Sequence, residues 1–156
     1  MSKKKSSVPQ VILNSQYLKD LSFENPHSPV SLTKVNQQPN IEFHIDINAV
    51  KLNDNNYEVT IIISAKANDK NDSEYTIFLA EIKYAGLFTI TETNEERLKE
   101  IMLVYCPTLL FPYARRIISD VTRDGGFPPL MMDPINFHQL YLEKQKNAPK
   151  EDGTIN

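Results

Sequence analysis

Hydrophobic and polar residues alternate along several stretches of the first ninety positions, and this alternation predicts β-strands. In residues 10–24 the apolar positions share one parity: Val11, Leu13, Tyr17, Leu21 and Phe23. The same pattern recurs in residues 41–50 and 57–67, each followed by a turn rich in asparagine and aspartate. A period of two gives each strand one buried face and one wet face.

A fourth predicted strand, residues 74–91, is apolar on both parities, since Phe78, Ala80 and Ile82 alternate with Ile77 and Leu79. A strand with two apolar faces needs cover on both sides. In a chain of 156 residues, a second subunit is a candidate for the second cover. Gly86 marks a candidate bulge or bend in this strand.

The second half of the chain changes to a helical period. Thr93 or Asn94 can cap a helix, whose apolar stripe is Leu98, Ile101, Met102 and Tyr105. Pro107 and Pro112 are each expected to interrupt this helix, because proline lacks the backbone N–H that a helix interior uses.

Further helical segments are predicted over residues 113–124, which end at Gly125-Gly126, and from Pro134 or Asn136 to Lys146. Strands followed by helices indicate an α+β fold. Residues 25–40 contain three prolines and are predicted to form a long crossover loop. The expected organisation is a flexible N-terminus (1–9), one domain (10–146) and a disordered tail (147–156).

The composition excludes several classes of site. The four glycines cannot form a dinucleotide or phosphate-loop motif, and the single cysteine allows neither an intrachain disulfide nor a cysteine zinc cage. The three histidines lack ligand spacing, so no metal site is expected. The longest apolar stretch, residues 101–114, is shorter than a membrane span and contains two prolines. These features indicate a soluble, cytoplasmic protein.

The net charge is −3 for the whole chain, but residues 8–142 carry 11 basic and 17 acidic side chains, a net of −6. An acidic body repels phosphate backbones, so nucleic acid is not expected as a partner. It attracts basic peptides or domains instead.

Three features could carry chemistry or binding. Cys106 could be a nucleophile with His44 or His27 as its base, although its apolar neighbours favour a buried inert thiol. Asp20 and Glu24 share one strand face, as do Glu42 and Asp46. In each pair the two carboxylates are four residues apart on a strand, or about 13 Å, which is too far for an acid–base pair. The remaining interpretations are a solvated strand face or a docking surface for a basic partner.

The third feature is the proline-stiffened loop of residues 127–132, FPPLMM. It could cap the core or form an apolar binding surface, because methionine adapts to many partner shapes.

Several motifs in this order resemble the SecB family of bacterial protein-export chaperones. They are YLKDLSFE at 17–24, FLAEI at 78–82 with GLF at 86–88, YCPTLLFPYAR at 105–115, and GFPPL at 126–130 with PINF at 134–137. The segment at 105–115 is the most specific, and together the motifs span most of residues 10–142.

The resemblance implies a four-stranded antiparallel sheet with helices on one face, and a homotetramer built as a dimer of dimers. It also implies an ATP-independent holdase, not an enzyme, that binds unfolded preproteins and delivers them to the SecA ATPase. No cofactor is implied, because the zinc belongs to the basic C-terminal tail of SecA. Direct insertion into the membrane is not implied either.

The resemblance also implies two sets of site residues. The SecA-docking surface corresponds to Asp20, Glu24, Leu79 and Glu81. The client groove corresponds to Val30, Leu32, Phe127, Leu130, Met131, Met132, Phe137 and Tyr141. The chain has no tryptophan, and the aromatic that many relatives carry near residues 34–39 is missing.

Two other functions remain open at this point. One is a cysteine hydrolase centred on Cys106, which a Cys106→Ala variant would inactivate. The other is a SecB-like chaperone dedicated to one client, such as a toxin–antitoxin module.

Overall fold

The computed structural model describes residues 8–33 and 38–147, and its framework is a four-stranded antiparallel sheet. The strands are β1 (Gln10–Glu24), β2 (Asn40–Asn53), β3 (Asn56–Asn68) and β4 (Thr76–Thr91), in the spatial order β1-β4-β3-β2. The predicted strands are confirmed with ends shifted by up to three residues, and helices cover one face of the sheet, as the α+β prediction required. Most of the predicted N-terminus and tail lies outside the described residues, as do residues 34–37.

The core forms between the helices and the two central strands. Val59, Ile61 and Ile63 of β3 are fully buried and face the helices. Their partners on β4 include Tyr84 and Ile82. Central strands bury more than edge strands because each has a neighbour on both sides, so β1 and β2 remain partly exposed. We call the side of the sheet that points away from the helices the outer face.

Two β-bulges change which side chains of β1 share a face. The pairing with β4 shifts between Leu13 and Ser15 and again between Leu18 and Asp20. An extra residue at each bulge reverses the alternation, so Leu18 joins the helix side and Tyr17 joins the outer face. The single parity predicted for β1 is therefore wrong in its middle.

Of the two features considered for Gly86, a bulge or a bend, the bulge is not found: both register shifts of the β1–β4 pair lie on β1, while Gly86 pairs regularly with Gln16 and Val59. Position 86 requires glycine because there is no space for a side chain. A Cβ atom at position 86 would lie 2.6 Å from Cε2 of Phe88 and 3.0 Å from Cδ1 of Leu13.

One continuous helix of 30 residues, Glu95–Asp124, crosses the sheet. It consists of α2 (Glu95–Glu100), a π-helical stretch (Ile101–Tyr105) and α3 (Cys106–Asp124). Asn94 caps it, since its side-chain oxygen accepts hydrogen bonds from the backbone N–H groups of Glu96 and Arg97 at 3.0 and 3.1 Å.

The predicted interruptions at Pro107 and Pro112 are wrong. In the π-helical stretch the N–H of Cys106 bonds the carbonyl of Ile101, five residues earlier instead of four. Pro107, which has no N–H to donate, follows directly at this change of hydrogen-bonding pattern, where α3 begins. Pro112 deprives the carbonyl of Thr108 of its helical donor, and Thr108 is exposed to water.

This is the one helix within the described residues that is long and apolar enough to cross a membrane, with a mean hydropathy of 1.3 in its most apolar window. Much of that apolarity belongs to the core. Leu110, Ala114 and Ile118, spaced four residues apart, are fully buried against the sheet.

Two short helices complete the described chain: α1 (Val30–Thr33) within the crossover loop and α4 (Phe137–Asn147). Asn136 caps α4 by accepting a 3.0 Å hydrogen bond from the N–H of Gln139. Gly126 ends the long helix with a φ of 93°, as the paired glycines predicted.

Candidate functional site

The four residues predicted to dock SecA lie together on the outer face. Glu24 pairs with Leu79, and Glu81 pairs with Ser22, which places Glu81 on β4 diagonally between Asp20 and Glu24 on β1. Diagonal neighbours on adjacent strands are about 7–8 Å apart. All three carboxylates are exposed and Leu79 is half-buried. We call Asp20, Glu24, Leu79 and Glu81 the outer acidic patch.

The register also brings two lysines to this patch, which the sequence pattern did not reveal. Lys83 lies opposite Asp20 on β4, and Lys66 of β3 lies opposite Leu79. Three carboxylates therefore face two ammonium groups, and the net negative charge of the patch is small. Only the cross-strand pairing shows this, because residues 66 and 83 are far from residue 20 in sequence.

The other pair of carboxylates, Glu42 and Asp46, lies on the edge strand β2. Asp46 binds Lys144 of α4 at 2.9 Å, and this hydrogen bond holds the pKa of Asp46 below its usual value. Glu42 pairs with Lys66. Both carboxylates thus have cations nearby within the chain.

A groove of about 700 Å³ lies at one end of the sheet. Leu32 of the crossover loop forms part of one wall, and Phe127 and Leu130 of the loop after α3 form part of the other. The centroid of the Phe127 ring lies 5.0 Å from the centroid of the Phe78 ring. These three predicted client-groove residues are therefore brought together.

The groove depends on contacts between its two loops. The side chain of Asn25 donates a 3.0 Å hydrogen bond to the carbonyl of Gly125. A Cβ atom at Gly126 would lie 3.1 Å from a methyl carbon of Leu32. Gly126 therefore provides both the positive φ that ends the helix and the space for Leu32.

Five other predicted groove residues do not line this cavity. Val30 and Met131 are 60% and 64% exposed, and Tyr141 on α4 is half-buried, with its hydroxyl bonded to Gln145. Met132 and Phe137 belong to the core, with 5% and 2% exposure. These last two are therefore not at the groove surface: Met132 turns inward from the loop after α3, and Phe137 turns inward from the first residue of α4.

Sequence reasoning also missed much of the groove. The residues concerned come from the ends of β2 and β4 and from the adjoining loops: Pro39, Ile41, Tyr75, Ile77 and Phe78. The strand pattern marked Ile41 and Phe78 as core residues, and nothing in their spacing showed that both strand ends lie beneath the loops.

The surroundings of Cys106 do not favour its predicted role as a nucleophile with a histidine base. Cys106 is fully buried, and burial raises the pKa of its thiol to about 12. His44 is on the outer face of β2, across the sheet from the helices, and His27 stacks on Tyr75 at 4.1 Å. In residues 8–33 and 38–147, no three His, Cys, Asp or Glu side chains are grouped to hold a metal ion.

We expect the folded protein to resist alkylation at Cys106, since a protonated, buried thiol is a poor nucleophile. At mildly alkaline pH, iodoacetamide should modify it more than about a hundredfold more slowly than an exposed cysteine. Mass spectrometry of the folded and the denatured protein measures this difference. Fast labelling of the folded protein would contradict the burial of Cys106.

Comparisons with known proteins agree with the fold and the motifs. The family model described as "Preprotein translocase subunit SecB" matches residues 4–148. The chain is 44% identical over 141 residues to a protein-export protein SecB of Parvibaculum lavamentivorans, covering 90% of this chain and 82% of the relative. It is 46% identical over 138 residues to the SecB of Bartonella quintana, covering 86% and 85%.

A solved structure is similar in fold. It is a SecB-like chaperone of Mycobacterium tuberculosis in complex with a peptide from an antitoxin. The TM-score is 0.67 at 18% identity, and the match covers 80% of this chain and 90% of that one. At this identity the likeness concerns the fold alone. The family match over nearly the whole chain, and the close relatives that share it, lead to one conclusion: this chain is a member of the SecB family.

Proposed function

We propose that this chain is an ATP-independent holdase that binds unfolded preproteins, keeps them competent for translocation and delivers them to the SecA ATPase. Membership of the SecB family over residues 4–148 is the observation that carries the proposal, and the relatives are named protein-export proteins. We further propose that it acts in the cytoplasm, without a cofactor, nucleic acid or membrane insertion.

The groove suits an unfolded client. Its lining residues are mainly apolar or aromatic, with a few polar ones such as Asp69 and Lys70. Burying apolar area contributes about 25 cal/mol per Å² regardless of the exact side chain. A groove of this kind therefore tolerates many client sequences.

The outer acidic patch suits the basic, zinc-binding tail of SecA. It is on the opposite face from the helices, and successive residues of β4 serve the two surfaces: Phe78 lines the groove, whereas Leu79 belongs to the patch. Client and SecA can thus bind the same subunit without competing for one surface.

An exposed stripe on the long helix supports assembly into a homotetramer, a dimer of dimers. Tyr105, Leu109 and Tyr113, each four residues apart, are 49%, 36% and 45% exposed. Apolar side chains in such a row stabilise a subunit interface when covered. Several grooves on one tetramer would strengthen client binding through effective concentration.

The alternatives receive less support. The relatives at 44–46% identity carry export names, so a client dedicated to a toxin–antitoxin module is not favoured. The raised pKa of Cys106 and the placement of the histidines do not support a cysteine hydrolase.

Light scattering on a sizing column tests the proposal. Four chains of 17.9 kDa give a tetramer of about 72 kDa. We expect this peak to gain the mass of one chemically unfolded preprotein, without nucleotide, and to ignore the same protein once folded. A monomer that leaves the unfolded preprotein unbound would contradict the holdase proposal.

A further inference from the structure

A hydrogen-bonded cluster beside the outer acidic patch has no part in the function proposed so far. The carboxylate of Glu58 on β3 accepts a hydrogen bond from the hydroxyl of Tyr17 and binds the ammonium group of Lys19 at 2.6 Å. The Glu58 side chain is only 16% exposed, against 47% for Lys19. Glu58 therefore holds two groups of β1 from a partly buried position.

The protonation states of this cluster are stable. The hydrogen bonds from Lys19 and Tyr17 hold the pKa of Glu58 below its usual value, so it remains a carboxylate. Burial, together with the hydrogen bond to Glu58 and its negative charge, raises the pKa of Tyr17 to about 12, so the phenol remains a donor.

The two partners of Glu58 reach it across a whole strand. Tyr17 and Lys19 are on β1, Glu58 is on β3, and β4 lies between them. Tyr17 pairs with Ala85 of β4, and Ala85 is fully buried although it faces outward. A small residue at position 85 thus leaves room for the β1 side chains to lie over β4.

Lys19 immediately precedes Asp20, a member of the outer acidic patch, and the β1 bulge lies between Leu18 and Asp20. The patch already has one lysine opposite a carboxylate, since Lys83 faces Asp20, and a second lysine, Lys66, opposite Leu79. A free ammonium group at Lys19 would add another cation next to Asp20 and would reduce the negative charge of the patch further.

We propose that Glu58 is a positioning residue for the docking surface: it binds the Lys19 ammonium group over β4 and thereby keeps Asp20, Glu24 and Glu81 available to a basic partner. This inference rests on the proposed docking of SecA. Glu58 acts through Lys19 and does not itself contact the partner.

A double-mutant cycle tests the proposal with the zinc-loaded C-terminal peptide of SecA as the probe. In low salt, Glu58→Gln should weaken binding about fivefold, as expected for one exposed charge contact. Lys19→Gln alone should bind at least as well as the unmodified protein. The affinity of the double variant should be within about twofold of that of the unmodified protein, because the lysine that Glu58 binds is then absent.

The matched control is Asp54→Asn, which removes one negative charge at the β2–β3 turn, far from the patch along the sheet. It should change binding less than about twofold. If Glu58 serves only to stabilise β1, or contacts the partner itself, the double variant will bind no better than Glu58→Gln, and the positioning role is overturned. If the unmodified protein does not bind the peptide at all, the proposed SecA docking fails first and this inference with it.

Discussion

Replacing both Glu24 and Glu81 with lysine should abolish docking of the SecA tail peptide while leaving client capture intact. The two carboxylates lie on adjacent strands as diagonal neighbours, and both are exposed. An exposed charge pair contributes up to about 1 kcal/mol, and reversal exchanges attraction for repulsion at both positions. Because the patch has only a small excess of negative charge, we expect the affinity to fall at least a hundredfold at low salt.

Isothermal titration with the zinc-loaded peptide measures this loss. The control is the double variant Glu74→Lys, Glu143→Lys, which changes the net charge equally at exposed positions outside the patch. Docking to the unmodified protein should also weaken as salt rises, since the Debye length is roughly 10 Å at 0.1 M. Salt-independent docking, or equal losses in the two variants, would show that the partner binds elsewhere.

Replacing Leu32 with aspartate should weaken capture of an unfolded preprotein at least tenfold. Leu32 lines the groove and is 36% exposed, so the change places a carboxylate where the client buries apolar side chains. Such a carboxylate must lose its hydration when the client binds, and the apolar contact is lost as well. Docking of the SecA peptide should be unaffected, because the outer acidic patch is on a different surface.

Fluorescence anisotropy of a labelled, unfolded preprotein measures this effect. Leu52→Asp is the matched control, since Leu52 is 54% exposed on β2 and does not line the groove. Leu32 also packs on Gly126, so Pro129→Asp, at an exposed position of the groove, serves as a second variant. The groove assignment is wrong if neither groove variant binds the client more weakly than Leu52→Asp.

The residue pattern was a good guide wherever a structural signal is local. Period-two alternation located the strands, Asn94 located the start of the long helix, and Gly126 located its end. The prolines are a poor guide, because Pro107 and Pro112 predict breaks that the long helix does not have. The helix continues because a π-helical stretch precedes Pro107 and because Thr108, whose carbonyl loses its donor at Pro112, is an exposed residue.

The candidate site could likewise be predicted only in part from the sequence. Motifs with specific spacing led to the SecB family and to Asp20, Glu24, Leu79 and Glu81, which the sheet register places together. The groove was predicted only in part, through Leu32, Phe127 and Leu130. Met132 and Phe137 are buried in the core instead, because the residues next to an apolar side chain do not decide whether it points inward or outward.

The sequence by itself determined the four strands and the start and end of the long helix, because propensity, capping and periodicity act over a few residues. Its motifs indicated the family. Tertiary structure decided which side chains meet. The bulges of β1 moved Tyr17 to the outer face, the register brought Lys66 and Lys83 to the patch, and Glu58 met Lys19 across β4. Such contacts join residues tens of positions apart, and they depend on how strands pair and layers pack.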